Sequence, residues 1–560
     1  MARETTFLSI FGPRTKRTMS SSELIARVRA IAGPTAIVIL FLVIWVIPAA
    51  SRSAWNEVTT APDEAAHYVT SLMIRGYLAD AFGDDPRRFA ELYYIHYPKV
   101  AFGIWPPLFH LMLGGWMFVT GSSLFSAVLF VSLATVLLAF VMFWAARDSL
   151  GIPLALVTAV WFATLPQVQI SASTVMMDMH CALMSLCAAV AFGHYMDSQR
   201  TRHALLFAGF AAAALLTKYN ALALSLLPAL AVLAGRRWSL LGRANFWAIP
   251  VVVFTVCAPW YVLQWQMVRY ASEPIPPANA WISVTQANAA LIVNQVGWVP
   301  LFMASLGLYK RVLRPEDKNG LWCSLFALGA AVWIFHSVLY PAVDDRYFIA
   351  GFAVLALFSA AGLHWLALSA RWLYGDDPAF SVRLAACAVA LFAFATSAVP
   401  VKAARGFAEA ADFMLSEPLS DDMTALVSSD PIGEGAFIAH IATREPRPRR
   451  IILRGSKVLA AGTWMGLNYL PRYPDASSLL LALDRARVEY IAIDDASHEE
   501  HHRQLDATIR HSTGWAVMQL PSTSPEASRV RLYRRTRPLP PGRPEFELDM
   551  SYSLGTTLRP

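Results

Sequence analysis

Long apolar runs separated by short polar loops are the sequence feature that most limits how this chain can fold. A transmembrane helix needs about 20 predominantly apolar residues, and 56% of the 560 residues are hydrophobic while 15% are charged. The pattern predicts a polytopic α-helical membrane protein with about eleven crossings. The apolar runs lie at about 32–50, 122–146, 152–166, 175–195, 203–217, 220–234, 245–264, 288–309, 321–341, 347–368 and 382–400.

The basic residues predict the orientation of these helices. The polar, basic segment at 1–31 is placed in the cytoplasm by the positive-inside rule, and the later basic loops then alternate onto the same side. This alternation holds when residues 106–120 form an interfacial or re-entrant helix instead of a crossing. A cleaved signal peptide is the alternative for the first run, but a run of span length that is followed by further spans favours a retained anchor.

The net charge of +7 does not indicate a nucleic-acid partner. Lys and Arg fall mostly in short loops between apolar runs, where they orient the chain in the membrane, so membrane lipids are the expected surroundings. All five cysteines lie in apolar segments, which predicts neither a disulfide framework nor a cysteine-rich metal site.

The composition changes after residue 400. Residues 401–535 alternate short β-like runs with polar helical stretches, which is typical of a small α/β domain. By the crossing count this domain is extracytoplasmic, as is the loop at 51–120 within the transmembrane module at 32–400. The Pro- and Arg-rich tail at 536–560 is expected to be disordered or draped over the surface. Strands are predicted at 425–429, 450–454, 490–494, 515–520 and 530–534.

Ionisable residues at the outer ends of the apolar runs are the main functional candidates. Charged groups at membrane depth are costly, and they mark functional sites by default. We expect the folded bundle to gather them around one cavity, with structural ion pairs as the alternative. These residues are Asp63, Glu64, Asp178, Asp344, Asp345 and Arg346.

The available residue types suit glycosyl transfer to a hydroxyl. That reaction needs a carboxylate to take the acceptor proton and cations to hold the departing phosphate. We predict Asp63 as the general base, with Glu64 and Asp178 as the other catalytic acids. A lysine that snorkels into the headgroups is the alternative for Lys218. The predicted donor-binding residues are Lys99, Lys218, Arg346, His96, Tyr97, Trp105, Asp345 and Tyr347.

One motif in the α/β region is predicted to carry no chemistry. Residues 498–502 formally satisfy H-E-x-x-H, which on a helix presents two histidines to zinc. The stretch is polar throughout, follows a predicted strand directly and has no third ligand nearby in sequence. A solvated helix start is therefore the preferred interpretation.

Six segments in order resemble one group of membrane enzymes. They are APDEAAHY, HYPKVAFGIWPPLFHLM, STVMMDMHCALMSLCAAVAF, ALLTKYNAL, CAPWYVLQW and DDRYFIAGFAVLALFSAAGL. Together they are similar to the protein mannosyltransferase and aminoarabinose transferase group (glycosyltransferase family 39 and its relatives) within the GT-C membrane glycosyltransferases, over roughly residues 30–400.

The resemblance implies an inverting transferase that takes a sugar from a polyprenyl-phosphate donor on the outer face of a bacterial inner membrane. By motif, Asp63 matches the loop carboxylate that acts as base and Asp178 matches the second acid of the site. Lys99 is similar to a lysine that contacts donor phosphate, and Arg346 with Tyr347 matches an Arg-Tyr pair before a late span. The spacing His-Tyr-Pro-Lys departs from the commoner pattern, and the α/β domain is not shared across the group.

Two other functions and several partners stay open. A lipid-diphosphate oligosaccharide transferase or polymerase of the same architecture is the first alternative. A transporter or scaffold is less favoured, because the paired half-repeats of transporters are not evident. The acceptor is a lipid, a glycan or a protein. No cofactor is predicted with certainty, although outward carboxylates can bind Mg²⁺ or Mn²⁺ with water.

Overall fold

The structure is a computed structural model that describes most of the chain. The described residues are 21–50, 55, 57–101, 103–265, 267, 280–314, 319–369, 380–395, 402–417, 424–445, 447–462, 469–520, 530–540, 542–550 and 554–560. Most of the predicted cytoplasmic N-terminus, residues 1–20, lies outside them.

Helices build the first 400 residues in the described part of the chain. They are α1 (Ser21–Ala50), α2 (Pro62–Asp80), α3 (Pro86–His96), α4 (Leu108–Thr120), α5 (Leu124–Leu150), α6 (Ile152–Thr164), α7 (Pro166–Ala172), α8 (Asp178–Ser198), α9 (Thr201–Thr217), α10 (Leu227–Gly235), α11 (Ala244–Leu263), α12 (Ala280–Val296), α13 (Trp298–Leu308), α14 (Gly320–Ile334), α15 (Ile349–Ser369) and α16 (Phe380–Ala395).

Five of the described helices are long and apolar enough to cross a membrane, and seven crossings result if each of two bent helix pairs counts as one span. The α6–α7 pair bends by 71°, where Pro166 follows Leu165, because proline disfavours a helical conformation in the residue before it. The prediction of a polytopic helical membrane fold is confirmed. The count of about eleven needs shorter apolar helices to cross as well, and it stays a prediction.

The predicted long loop contains three helices. α2, α3 and α4 occupy most of residues 62–120. α4 is apolar but only 13 residues long, too short for a straight crossing of the bilayer.

A small α/β domain follows the bundle, as the sequence predicts. The strands are β1 (Thr424–Ser428), β2 (Ile451–Arg454), β3 (Ala460–Ala461), β4 (Leu470–Pro471), β5 (Val488–Ile493), β6 (Trp515–Val517), β7 (Arg531–Arg535), β8 (Leu548–Met550) and β9 (Thr556–Leu558). The helices are α17 (Phe407–Ser416), α18 (Pro431–Arg444), α19 (Gly455–Val458), α20 (Ala476–Arg485) and α21 (Glu500–Arg510). The main sheet has five strands in the order β2-β1-β5-β7-β6, with β1 parallel to both of its neighbours and β7 antiparallel to both of its own.

The tail differs from its prediction. β8 and β9 pair as an antiparallel hairpin, and the side chains of Leu548, Met550 and Leu558 are buried. The alternation of apolar and polar residues in β8 gives the hairpin one face to bury, so this part of the tail is ordered.

The α/β domain is docked on the first loop of the bundle. α18 packs along α2, and the carboxylate of Glu57 accepts hydrogen bonds from the amides of Arg405, Gly406 and Ala408 at 2.6 to 3.0 Å. These amides include the first, unpaired donors of α17, which helices leave available for capping. The domain therefore lies directly against the loop that carries the candidate site.

Candidate functional site

Asp63 lies in the first turn of α2. Pro62 at the first helical position favours a helix start, and acidic residues in a first turn interact well with the helix dipole. Burial raises the pKa of Asp63 above its ordinary value, while Arg346, Lys99 and Lys218 act against that rise and Asp178 adds to it. Among the described residues no hydrogen bond or ion pair engages the Asp63 carboxylate. An accessible, partly desolvated carboxylate surrounded by cations results.

Asp178 and Lys218 form a close ion pair beside Asp63. Lys218 Nζ lies 2.6 Å from Asp178 Oδ1, and the two side chains are 11% and 2% exposed. The snorkelling alternative for Lys218 is therefore wrong, because its ammonium turns inward to a carboxylate. Asp178 Oδ2 is buried and has no hydrogen-bond partner in the described structure, so one oxygen is free for a ligand.

Arg346 and Tyr347 lie next to this pair, in the short 3-10 turn Asp345–Phe348 that precedes α15. The Arg346 guanidinium donates to both oxygens of Asp344, with the shortest contact at 2.6 Å. Lys218 Nζ lies 4.7 Å from the ring centroid of Tyr347, within the range of a cation–π contact. Asp345 turns elsewhere and accepts a hydrogen bond from Gln295 at 3.1 Å.

A small, partly open cavity of about 30 Å³ lies among these side chains. Asp178, Lys218, Arg346 and Tyr347 are among its polar lining residues, and most of the others are apolar. Its remaining lining residues are Cys181, Ala182, Ser185, Asn220, Ala221, Ala223, Leu224, Leu328, Val332, His336, Ile349 and Ala350.

Lys99 connects the site to the α/β domain. Its side chain is buried, and Nζ donates to the carbonyl of Pro431 at 3.0 Å. Burial and the nearby Arg454 lower the pKa of Lys99 to about 7, although Glu434 and Asp63 act in the opposite direction. Lys99 thus lies within electrostatic reach of Asp63 and is held by the second domain.

Glu64 lies beside Asp63 in sequence but faces another direction. It is fully buried, and Lys402 Nζ lies 2.8 Å from its Oε1. The amides of Thr60 and Val175 donate to the same carboxylate at 3.0 and 3.2 Å. This set of partners favours a structural anchor over the catalytic acid that the sequence predicts.

Three further predicted residues lie away from the cavity wall. His96 Nδ1 lies 3.1 Å from the carbonyl of Arg450, and the Tyr97 hydroxyl donates to Glu445, so both side chains face the α/β domain. Trp105 packs against His67, with ring centroids 4.1 Å apart. Their contacts indicate that they support the loop.

Two residues with a role near the site were missed by the sequence analysis. Lys402 follows the last predicted span and resembles an ordinary interfacial lysine, so only its contact with Glu64 distinguishes it. His336 lines the cavity and is 1% exposed. A lone histidine inside an apolar run was the available signal.

The H-E-x-x-H stretch starts a helix, as the sequence predicts, but only its first three residues are exposed. His501 and His502 are buried. His502 Nδ1 lies 2.9 Å from Ser428 Oγ, and its Nε2 lies 2.9 Å from the Asp494 carbonyl. Both ring nitrogens of His502 are thereby used inside the domain, at the carboxyl ends of β1 and β5.

No group of three or more His, Cys, Asp or Glu side chains is placed to hold a metal ion within the described ranges. Binding of Mg²⁺ or Mn²⁺ by outward carboxylates together with water stays a prediction.

A helical membrane module, a folded first loop over acids and cations, and a docked α/β domain make up a fold of the GT-C type. The dolichyl-phosphate-mannose-protein mannosyltransferase family matches at residues 105–264. No curated protein matches the sequence.

Solved structures share the fold over most of the chain. The crystal structure of ArnT from Cupriavidus metallidurans in the apo state has a TM-score of 0.56 and 14% identity, and the match covers 91% of this chain and 98% of that chain. The structure of the same protein bound to undecaprenyl phosphate has a TM-score of 0.54 and 15% identity, and the match covers 93% of this chain and 100% of that chain. The Archaeoglobus fulgidus oligosaccharyltransferase in complex with Zn and sulfate has a TM-score of 0.52 and 14% identity, and the match covers 83% of this chain and 68% of that chain. At these identities the likeness shows the fold.

Proposed function

We propose that this protein transfers a sugar, with inversion, from a polyprenyl-phosphate donor to an acceptor hydroxyl, and that Asp63 is the general base. The observation that carries the proposal is the position of Asp63, whose pKa responds to Arg346, Lys99 and Lys218 at once. One carboxylate for a proton and several cations for a phosphate are what the reaction requires.

The proposed reaction is a displacement at the anomeric carbon. The acceptor oxygen attacks from the face opposite the phosphate and gives its proton to the Asp63 carboxylate. The bond from the anomeric carbon to the phosphate oxygen breaks, and its electron pair stays on the phosphate. Lys218 and Arg346 in the cavity, with Lys99 nearby, stabilise the charge that develops there.

The lining of the cavity supports a lipid-linked donor. Lys218 and Arg346 are its cations, while Leu224, Leu328 and Val332 are among its apolar residues. A polyprenyl phosphate has the matching division between an anionic head and an apolar chain. The ArnT structure from Cupriavidus metallidurans that shares the fold is bound to undecaprenyl phosphate.

The remaining predicted residues take supporting roles in this proposal. Asp178 holds Lys218 toward the phosphate and offers its free oxygen to the sugar, and Tyr347 underlies Lys218. His96 and Tyr97 hold the loop against the α/β domain.

We further propose that the reaction takes place on the extracytoplasmic face of a bacterial inner membrane. The basic loops then lie in the cytoplasm. The first loop and the α/β domain lie outside, where a lipid, glycan or protein acceptor is available.

The test is transfer from polyprenyl-monophosphate sugars by purified protein in lipid, supplied with an envelope extract as acceptor. We expect Asp63→Asn to lose at least about a hundredfold in turnover, since positioned general bases contribute on that order. Asp84→Asn is the matched control, because Asp84 lies in the exposed turn after the same helix. A chelator arm tests for a divalent cation.

Undiminished turnover in the folded Asp63→Asn protein would contradict the assignment of the base. Turnover only with diphosphate-linked oligosaccharides would instead favour the alternative of an oligosaccharide transferase or polymerase.

A further inference from the structure

His336 lies where a membrane-spanning helix ends in a π-helical turn. α14 continues as a π-turn over Phe335–Leu339, and such turns occur frequently at functional sites. The Tyr340 amide donates to the carbonyl of Phe335 at 2.7 Å. The side-chain amide of Asn288 donates to the carbonyl of His336 at 3.2 Å. The backbone that carries the imidazole is therefore held in place at the cavity wall.

The imidazole of His336 is buried, and one of its nitrogens lacks a hydrogen-bond partner in the described structure. The residue is 1% exposed and lines the cavity. Its ring stacks on Tyr347, with centroids 4.9 Å apart and planes at 24°. Its Nδ1 atom is buried without a hydrogen-bond partner in the described part of the chain. Buried polar atoms are normally paired, so this one points to a ligand atom.

A second unpaired atom in the same cavity narrows the chemistry of that ligand. Asp178 Oδ2 is also buried without a partner in the described structure, and a carboxylate oxygen can only accept a hydrogen bond. An ionised phosphate has no proton to give, and a polyprenyl chain has no polar atom. A sugar hydroxyl both donates and accepts, so a polyol can satisfy both atoms.

We propose that His336 binds the sugar of the lipid-linked donor through a hydrogen bond from Nδ1 to a sugar hydroxyl, and so contributes to the choice of sugar. The proposal rests on the proposed function, because it assumes a donor in this cavity. Lys218 and Arg346 face the phosphate, and Asp178 shares the sugar with His336.

The test compares variants in their affinity for donors with and without the sugar. His336→Phe keeps a ring to stack on Tyr347 and removes both nitrogens. We expect it to weaken binding of an undecaprenyl-phosphate hexose or aminopentose about tenfold or more, and to leave binding of sugar-free undecaprenyl phosphate unchanged. With a series of single-deoxy donors, one position is expected to weaken binding to the wild type but not to the variant.

His180→Phe is the matched control. His180 is also buried with an unpaired Nδ1 within the described structure, but it does not line the cavity, so its replacement is expected to leave the sugar preference unchanged. His336→Asn, which keeps a hydrogen-bonding group, provides a second variant, and thermal unfolding of each protein reports whether it is folded.

An equal loss of affinity for sugar-free undecaprenyl phosphate and for the sugar donor in His336→Phe would overturn the proposal. So would deoxy donors that each weaken binding to the variant as much as to the wild type. A wild type that binds no sugar donor more tightly than sugar-free undecaprenyl phosphate would also overturn it. Binding without transfer by the wild type would refute the proposed function alone, because the affinities still decide the role of His336.

Discussion

Lys99 is a buried ammonium group whose proton is held weakly. Its pKa is lowered to about 7, chiefly by burial, so the folded free enzyme loses the charge as the pH rises through neutrality. The unfolded chain keeps that proton up to its ordinary pKa, so this group makes folding more favourable with rising pH between about 7 and 10.5. Binding of an anionic donor instead becomes weaker with rising pH, because the positive charge of Lys99 is lost.

We therefore predict a bell-shaped pH dependence of kcat/KM. The raised pKa of Asp63 moves the acid limb above the ordinary range of aspartate. Loss of the Lys99 proton makes kcat/KM fall about tenfold per pH unit above 7. Transfer rates measured between pH 5 and 9 check both limbs.

Lys99→Arg is the control for the alkaline limb, because arginine keeps its charge throughout this range. An alkaline limb at the same pH in this variant would exclude Lys99 as its origin.

The sequence predicted single residues unevenly, and the partners explain why. Asp63, Asp178, Lys218 and Arg346 lie near the ends of apolar runs. Burying a charge there is costly, which makes these residues recognisable as functional candidates. Glu64 has the same sequence context as Asp63, yet it faces Lys402, which is 338 positions away. Which way a side chain turns depends on such distant contacts, and a single sequence does not contain them.

At the scale of elements, the close approach of α18 to α2 depends on one glycine. A Cβ atom at Gly435 would lie 2.7 Å from the Cβ of Ala65 and 3.0 Å from Cε of Lys99. Helix backbones come this close only where a side chain is absent, so any larger residue pushes the two helices apart.

Gly435→Val is thus expected to destabilise the protein by about 1–3 kcal/mol and to weaken donor binding through displacement of Lys99. Thermal unfolding and donor KM are the measurements. Gly209→Ala is the control, since a Cβ there meets nothing within 4 Å and alanine favours a helix. Equal unfolding temperatures for Gly435→Val and wild type would show that the helices do not need this contact.

Elements were predicted better than their connections. All five strands of the main sheet and most of the apolar helices follow from periodicity and length alone. The hairpin in the tail and the packing of α18 on α2 do not, because both depend on burial against parts of the chain that are remote in sequence.

At the scale of the whole molecule, one buried ion pair joins the two domains. Lys402 and Glu64 have side chains that are 5% and 0% exposed. Removing one member leaves the other charged and buried, which typically costs about 3–5 kcal/mol. Val175, which also binds Glu64, lies three residues before Asp178, so the same carboxylate fixes the distance between the loops of both acids.

We predict that Lys402→Met lowers the unfolding temperature and reduces kcat, and that Lys402→Arg restores part of both. Thermal unfolding and transfer assays on the three proteins check this. Arg559→Met is the comparison, because the pair of Arg559 and Glu547 is exposed and such pairs contribute at most about 1 kcal/mol. Similar effects from Lys402→Met and Arg559→Met would mean that the buried pair does not join the domains.

The hydrogen bonds from the first amides of α17 to the Glu57 carboxylate also bear on when the protein folds during its synthesis. It is translated 348 residues before Arg405, its first partner. At about 5–20 residues per second, roughly 20–70 s pass before that partner exists. During this interval the loop of α2 to α4 lacks the surface on which it rests, so the candidate site is complete only after the chain beyond residue 400 has been synthesised.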